Sequence, residues 1–278
     1  MTLPDHVGVY GGGRMGAGIA HAFLVSGARV TIVESTSDTA AVARGRVSTS
    51  VARAESLGLV DASAVLPHLE VATSADALGG CDLVIEAVPE EPALKARVLG
   101  SVEAAAPQAW VATNTSSLSV DGLAASLRRP DRFVGLHFFN PVPASDLVEI
   151  VVGAETRDEL IRLARGWVAD LGKTAITVTD SPGFASSRLG VAIALEAMRM
   201  LEEGVASAED IDTAMTLGYK HPVGPLRTTD LVGLDVRLAI AEHLATEVGE
   251  HFTPPSILRD KVRAGELGRK AGQGFFTW

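Results

Sequence analysis

The stretch "VGVYGGGRMGAGIAHAF", residues 7–23, decides the fold of this 278-residue chain. A short apolar run leads into Gly11, Gly13 and Gly16, and a helix-patterned stretch follows at once. In this spacing the first glycine permits a tight turn, the second lets the backbone approach a pyrophosphate, and the third allows a helix to pack closely on a strand. The helix N-terminus then offers N–H groups to the phosphates. The stretch predicts a dinucleotide site, and a glycine-rich turn without a ligand is the alternative.

The end of the next predicted strand, "RVTIVE" (29–34), indicates which dinucleotide is bound. Its last residue, Glu34, offers a carboxylate that can bind the hydroxyls of an adenosine ribose. The same carboxylate would repel a 2′-phosphate, and no arginine follows before Arg44. NAD is therefore favoured over NADP.

Short apolar runs alternate with helix-patterned stretches as far as residue 180, which is typical of an α/β fold with a doubly wound, mostly parallel sheet. Helix spacing is seen at 158–172, and strands are predicted at 6–10, 29–34, 82–88, 110–114 and 132–138. We assign residues 1–181 to this domain. A long segment, about 37–66, predicts a protruding helical arm, which either contacts a ligand or is a structural extension.

Beyond Pro182 and Gly183 the pattern becomes helical, and residues 182–278 are predicted to form an all-helical C-terminal domain. Its first helix, "ASSRLGVAIALEAMRMLEEG" (185–204), is apolar nearly all round, which suits either a subunit interface or an intramolecular core. Ser207 is predicted to cap the helix that follows, because acidic residues occupy its first turn.

Composition excludes several classes of function. A net charge of −10 argues against a nucleic-acid partner and leaves a small molecule as the expected one. No signal peptide and no apolar run of membrane-spanning length occurs, so we expect a cytoplasmic protein without a membrane partner. The single cysteine, Cys81, is interpreted as structural. Histidine and cysteine lack metal-ligand spacing, so no metal site is predicted.

A second stretch, "LHFFNPVPASDLVEI" (136–150), contains one histidine and one glutamate whose roles need an explanation. The chain leaves a predicted strand at His137, turns at two prolines and returns on an apolar run that contains Glu149. A histidine can take the proton of a secondary alcohol, and a carboxylate on its other ring nitrogen fixes the tautomer. Beside a dinucleotide site the pair predicts a dehydrogenase base, although a histidine at a strand end can also be a packed or solvated residue.

The order and spacing of several motifs resemble the L-3-hydroxyacyl-CoA dehydrogenase family over nearly the whole chain. These motifs are "GGGRMGAGIA", "DLVIEAVPE", "NTSSL", "HFFNPVP", "DSPGF", "LGYKHPVGPLRTTDLVGLD" and "GRKAGQGFF". The resemblance implies a Rossmann-like NAD domain, followed by a helical domain that takes part in substrate binding and forms a homodimer. It also implies oxidation of a 3-hydroxyacyl thioester, such as 3-hydroxybutyryl-CoA, to the 3-oxoacyl thioester, or the reverse.

The resemblance carries roles to individual residues. His137 is expected to be the catalytic base and Glu149 its orienting partner, while Ser116 and Asn140 line the nicotinamide and substrate pocket. Further cofactor contacts are expected at Gly11, Gly13, Arg14, Met15, Gly16, Glu34, Glu90, Lys95 and Lys270. Lys270 is the least specific of these, because a surface lysine often has no such role.

Three departures from the family pattern leave the acyl carrier open. Ser187 stands where the family has an asparagine near the substrate oxygen, and Asp146 stands where a lysine is common. The arm contains no lysine, and Ser50 and Arg53 remain as candidate contacts for CoA. A free hydroxy acid of the gulonate or carnitine type and a carrier-bound hydroxyacyl group are the alternatives, with a non-enzymatic NAD-binding protein as the remote one.

Overall fold

A computed structural model describes residues 3–278, which form two compact units, the first ending at Ser181 and the second spanning Pro182–Trp278. The strands of the first unit are β1 (His6–Tyr10), β2 (Arg29–Val33), β3 (Leu69–Ala72), β4 (Leu83–Glu86), β5 (Trp110–Thr113), β6 (Phe133–Phe138), β7 (Leu147–Val152) and β8 (Thr174–Thr179). Its helices are α1 (Arg14–Val25), α2 (Ser37–Ser56), α3 (Ala62–Val65), α4 (Pro92–Ala105), α5 (Val120–Ala124) and α6 (Asp158–Asp170).

The eight strands form one sheet in the order β3-β2-β1-β4-β5-β6-β7-β8. The first six strands in this order, from β3 through β2, β1, β4 and β5 to β6, are parallel to one another. Strand β7 is antiparallel to β6, and β8 is parallel to β7. The strand order reverses direction between β1 and β4, which is the place where open α/β sheets bind ligands beyond their carboxyl ends. The predicted doubly wound, mostly parallel sheet is confirmed.

The five predicted strands are confirmed, although the prediction for β4 began one residue too early and ended two too late. Strands β3 and β8 were not predicted, and β7 was predicted only as the apolar run that contains Glu149. Strand β3 has only four residues and follows a short 3-10 turn that contains Pro67. Strand β8 lies at the sheet edge and has only half-buried and exposed residues, so it lacks the continuous apolar run of an interior strand.

The predicted arm is helical, as α2 and α3 show, but it does not protrude over most of its length. Helix α2 begins with a capping box formed by Thr36 and Thr39 and buries Ala43, Val47 and Val51 in the main core. These residues recur at a spacing of four, so one face of α2 packs along α1. The arm therefore lies on the sheet, and its far end carries exposed leucines at 57 and 59.

The second unit consists of helices, as predicted. They are α7 (Ser186–Glu202), α8 (Ala208–Thr213), α9 (Pro225–Val232), α10 (Leu234–Glu247) and α11 (Ser256–Arg263), with a π-helical turn at Ala214–Gly218. Ser207 caps α8 by accepting a hydrogen bond from the Asp210 N–H, which confirms that prediction. Helix α7 is not buried all round, because Leu189 remains 63% exposed and Ile193 38% exposed.

A buried aspartate fastens the last four residues of the chain to α9. The Asp230 carboxylate is 1% exposed and accepts hydrogen bonds from the Phe275 and Phe276 N–H groups and from the Trp278 indole. The Arg227 guanidinium covers the Phe276 ring at 4.0 Å. A carboxylate that accepts three hydrogen bonds compensates for its own desolvation, and its loss would leave these donors without a partner.

No helix within residues 3–278 has both the length and the apolar character that crossing a membrane requires.

We predict that Asp230→Ala destabilises the protein by about 2–4 kcal/mol, because buried N–H donors lose a charged acceptor. Urea unfolding followed by tryptophan fluorescence measures the change. Asp260→Ala is the matched control, since that carboxylate is 65% exposed and pairs only with Arg263. Equal stability of the two variants would show that Asp230 does not fasten the C-terminal segment.

Candidate active site

The glycine loop between β1 and α1 has the geometry of a phosphate-binding turn. Gly11 has φ +99° and donates its N–H to the Val33 carbonyl at 2.9 Å. A Cβ on Gly16 would lie 1.8 Å from the Gly11 carbonyl oxygen, so only glycine allows α1 to approach β1 this closely. At Gly13, the N-cap of α1, an added Cβ would meet nothing within 4 Å. The start of α1 is therefore open to a ligand that binds N–H groups, as NAD does through its pyrophosphate.

The opposite side of the same loop carries Glu34 and an arginine that the sequence analysis missed. Glu34 Oε1 accepts the Gly12 N–H at 2.6 Å, and Arg46 donates from Nη1 to the Gly12 carbonyl at 3.1 Å. A Cβ on Gly12 would lie 2.3 Å from the Cβ of Ala43 on α2. The packing of α2 against the loop thus requires glycine at residue 12, and it also brings Arg46 into contact with the loop. No local pattern indicated this contact.

A fully buried ion pair lies where β4 ends. Glu86 is 0% exposed, and Lys95 on α4 donates to both of its oxygens at 2.8 and 3.0 Å. The Thr113 hydroxyl and the Val88 N–H also donate hydrogen bonds to the Glu86 carboxylate, each at 2.7 Å. Glu86 was not predicted as a site residue, although a charge at the end of a strand that is apolar on both faces was a usable signal.

Glu90 connects this ion pair to the loop after β5. Its Oε2 lies 3.2 Å from the Lys95 ammonium, and its Oε1 accepts the Thr115 hydroxyl at 2.6 Å and the Ser116 and Ser117 N–H groups at 2.8 and 3.1 Å. Burial by itself would raise the pKa of Glu90, but Lys95 and these hydrogen bonds together lower it. Lys95 is 1% exposed, so it acts on the site through Glu90.

His137 and Glu149 are brought together by the antiparallel pairing of β6 and β7. The two residues are direct partners in the strand register, and His137 Nδ1 lies 2.7 Å from Glu149 Oε2. Glu149 is 0% exposed and His137 6% exposed. A carboxylate on Nδ1 favours the tautomer that has its proton there, which leaves Nε2 as the basic nitrogen.

The segments around this pair are tied to their neighbours. Asn114, at the end of β5, accepts the Phe138 N–H at 2.9 Å, and the Phe139 ring centroid lies 4.4 Å from that of His137. In the connection between β6 and β7, the Lys173 ammonium donates to the Val142 carbonyl at 2.8 Å. Asn114 belongs to the "NTSSL" motif, but its own role was not predicted.

The remaining predicted site residues lie in three places. Asn140 is exposed just after β6, as Arg14 is at the start of α1, and Met15 beside it is half-buried. Ser50 and Arg53 lie on α2, with Arg53 exposed. Ser187 occupies the first turn of α7 in the second unit, where Lys270 also lies and pairs with Asp235 at 2.6 Å. Thus the glycine loop, Glu34, Glu90, Ser116, His137 and Glu149 all lie toward one edge of the sheet in the first unit.

A Rossmann-type sheet with a glycine loop, an acidic residue after β2 and a buried histidine–carboxylate pair defines the class of NAD-dependent dehydrogenases.

Two family models cover almost the whole chain. The NAD binding domain of 3-hydroxyacyl-CoA dehydrogenase matches residues 6–181, and the C-terminal domain of 3-hydroxyacyl-CoA dehydrogenase matches residues 183–278. The chain therefore belongs to the 3-hydroxyacyl-CoA dehydrogenase family and is an NAD-dependent oxidoreductase.

Individual relatives agree with this assignment. The chain is 39% identical over 281 residues to a 3-hydroxybutyryl-CoA dehydrogenase of Mycobacterium tuberculosis, covering 99% of this chain and 98% of the relative. It is 39% identical over 277 residues to a probable 3-hydroxybutyryl-CoA dehydrogenase of Deinococcus radiodurans, covering 98% and 99%. The crystal structure of (S)-3-hydroxybutyryl-CoA dehydrogenase from Ralstonia eutropha is similar with a TM-score of 0.95 and 38% identity, covering 99% of both chains.

We predict that Glu90→Gln removes a pH-dependent part of the stability. Because the native pKa of Glu90 is lowered, its ionised form stabilises the fold above the ordinary carboxyl pKa, and this contribution is lost as the pH falls through the lower native value. The variant should have a lower midpoint of thermal unfolding at pH 7, and its midpoint should fall less steeply in acid. Glu91→Gln, at the exposed neighbouring residue, is the control. Parallel pH curves for wild type and Glu90→Gln would contradict the role given to Glu90.

Proposed function

We propose that the protein interconverts a 3-hydroxyacyl thioester and its 3-oxoacyl thioester with NAD, with a short-chain substrate such as 3-hydroxybutyryl-CoA. The observation that carries the proposal is the 2.7 Å contact between His137 and Glu149 at the sheet edge that bears the glycine loop. The names of the full-length relatives support the substrate class.

In the proposed reaction His137 is the catalytic base. Its Nε2 takes the proton of the substrate 3-hydroxyl group while the hydride on the same carbon departs, so the C–O single bond becomes the carbonyl. Glu149 accepts the hydrogen bond from Nδ1–H and stabilises the imidazolium that forms. Because Glu149 is fully buried, water screens this interaction little. A positioned base of this kind contributes about 10²–10⁴ in rate.

The first unit is proposed to bind the cofactor. Bound NAD supplies the hydride acceptor, or the donor in the reverse reaction. The open N-terminus of α1 at Gly13, with Arg14 and Met15, fits the pyrophosphate, and Glu34 fits the ribose hydroxyls. Glu90 holds the Ser116 loop in place for the nicotinamide end.

The substrate contacts are also proposals. Ser116 and Asn140 in the first unit and Ser187 in the second are assigned to the acyl thioester by their places in the family motifs. Ser50 and the exposed Arg53 on α2 are assigned to CoA. The absence of lysines from the arm weakens the attraction to an anionic CoA by roughly 1 kcal/mol for each lost exposed contact.

A homodimer through the helical unit completes the proposal. Large apolar side chains that a monomer would usually cover remain exposed on α7, α9 and α10, namely Leu189, Ile193, Leu231, Val232 and Val236. Lys270, which pairs with Asp235 in the same unit, is retained as a proposed cofactor contact.

We predict that His137→Asn lowers kcat by about 10²–10⁴ and leaves the affinity for NADH nearly unchanged, because the base is lost while the dinucleotide site remains. Glu149→Gln should cause a smaller loss, since the histidine remains without its charged partner. Steady-state kinetics and NADH fluorescence titration measure the two effects. His68→Asn, at an exposed histidine, is the control. Near-normal activity of His137→Asn would show that His137 is not the catalytic base.

Substrate comparison tests the reaction itself. We predict that NADH oxidation at 340 nm is fastest with acetoacetyl-CoA, slower with the pantetheine thioester and slowest with free acetoacetate, with NADPH a poor replacement for NADH. Equal rates with the pantetheine thioester would point to a carrier-bound substrate. Activity with none of the three would contradict the thioester assignment and move the search to free hydroxy acids.

A further inference from the structure

The second unit contains a buried arginine that the proposed reaction does not use. Arg237 on α10 is 8% exposed, and its Nε has no hydrogen-bond partner among the described residues. It takes part in none of the ion pairs found within residues 3–278. Burial lowers the pKa of Arg237, and no neighbouring carboxylate offsets this effect.

Three acidic side chains on α10 and on the adjacent α7 already pair with other cations. Asp235, two residues earlier, pairs with Lys270 at 2.6 Å. Glu242, further along α10, pairs with Arg259, and Glu196 on α7 pairs with Arg199. A desolvated guanidinium without a counter-charge is costly, so this site favours the arrival of an anion.

The guanidinium lies over Gly190 of α7. An added Cβ at Gly190 would lie 3.4 Å from Arg237 Nη1 and 3.8 Å from Nη2, so the guanidinium occupies the space that a side chain at residue 190 would fill. Ser187 precedes Gly190 by three residues on the same helix, so both residues face the same side, about 5–6 Å apart. The arginine is thus within about one helical turn of the serine assigned to the substrate oxygen.

We propose that Arg237 binds a carboxylate carried by the substrate, so that the preferred substrate is a hydroxyacyl group with a terminal carboxylate. The proposal rests on the function assigned above, because it takes Ser187 as the contact of the substrate oxygen. A guanidinium binds a carboxylate through two parallel hydrogen bonds, which gives it both direction and strength. The carboxylate belongs either to the far end of an acyl thioester or to a free hydroxy acid, and the chemistry at Arg237 is the same for both.

Two thioesters of equal chain length provide the test. We predict that the wild type has a higher kcat/KM for 3-hydroxyadipyl-CoA than for 3-hydroxyhexanoyl-CoA, which differs in lacking the terminal carboxylate. In Arg237→Met the ratio of these two values should fall about 10- to 100-fold, the size expected for hydrogen bonds to a charged group. Arg237→Lys keeps the charge but loses the second hydrogen bond, so its kcat/KM ratio should lie between that of the wild type and that of Arg237→Met. Arg263→Met, at an arginine that is 76% exposed, is the control.

Thermal unfolding without NAD separates this site from the reaction. 3-Hydroxyadipyl-CoA should raise the unfolding midpoint of the wild type more than 3-hydroxyhexanoyl-CoA does. This difference between the two thioesters should vanish in Arg237→Met. If no substrate is turned over but the difference remains, the dehydrogenase assignment fails and the carboxylate site stands. If both thioesters are turned over and Arg237→Met leaves their ratio unchanged, the carboxylate site fails and the reaction stands. Free 3-hydroxyadipate that raises the midpoint as much as its thioester would identify a free acid as the source.

The ligand-free variant excludes two structural roles. Removal of an unpaired buried charge should leave the unfolding midpoint of Arg237→Met equal to or above that of the wild type. A lower midpoint would mean that the guanidinium stabilises the fold, and would overturn the proposal. A smaller oligomer of Arg237→Met in light scattering would place a second copy of the chain at this arginine and would overturn it too.

Discussion

Every fully buried carboxylate at the carboxyl edge of the sheet has a partner, and this requirement organises the site. Glu86 and Glu149 are both 0% exposed, and an isolated carboxylate at that depth would cost several kcal/mol. Glu86 is matched by Lys95, and Glu149 by His137. Lys95 also contacts Glu90, which accepts hydrogen bonds from the loop after β5. One buried charge therefore helps to fix the conformation of a surface loop. In the other pair, the same requirement orients the proposed base.

The second unit follows the same rule with one exception. Asp212 and Asp230 are buried, and each is satisfied by backbone N–H donors at a helix start or at the C-terminal segment. Burial raises the pKa of Asp212, and these N–H groups act against that shift. Arg237 has no such partner within the described part of the chain. The guanidinium that lacks a counter-charge in this unit thus lies about one helical turn from Ser187.

Sequence patterns predicted the features whose signals are local. The glycine spacing, Glu34 at the end of β2 and the five apolar strands each depend on neighbouring residues in the chain, and each is where it was expected. Two strands were missed because a four-residue strand and a half-exposed edge strand lack a distinctive pattern. Arg46 was missed because it reaches Gly12 only through the packing of α2. The role of Gly12 has the same origin, since Ala43 of that helix leaves no room for a side chain.

By itself the sequence determined the alternation of strands and helices, the dinucleotide loop and the residue types of a dehydrogenase site, because backbone periodicity and glycine geometry are properties of short segments. Only the tertiary structure decided which charges meet. The antiparallel register of β6 and β7 places Glu149 against His137, the approach of α4 to β4 buries Lys95 on Glu86, and the packing of α10 on α7 leaves Arg237 over Gly190. The physical reason is that electrostatic interactions depend on distance and burial, which are set by packing between segments far apart in the chain.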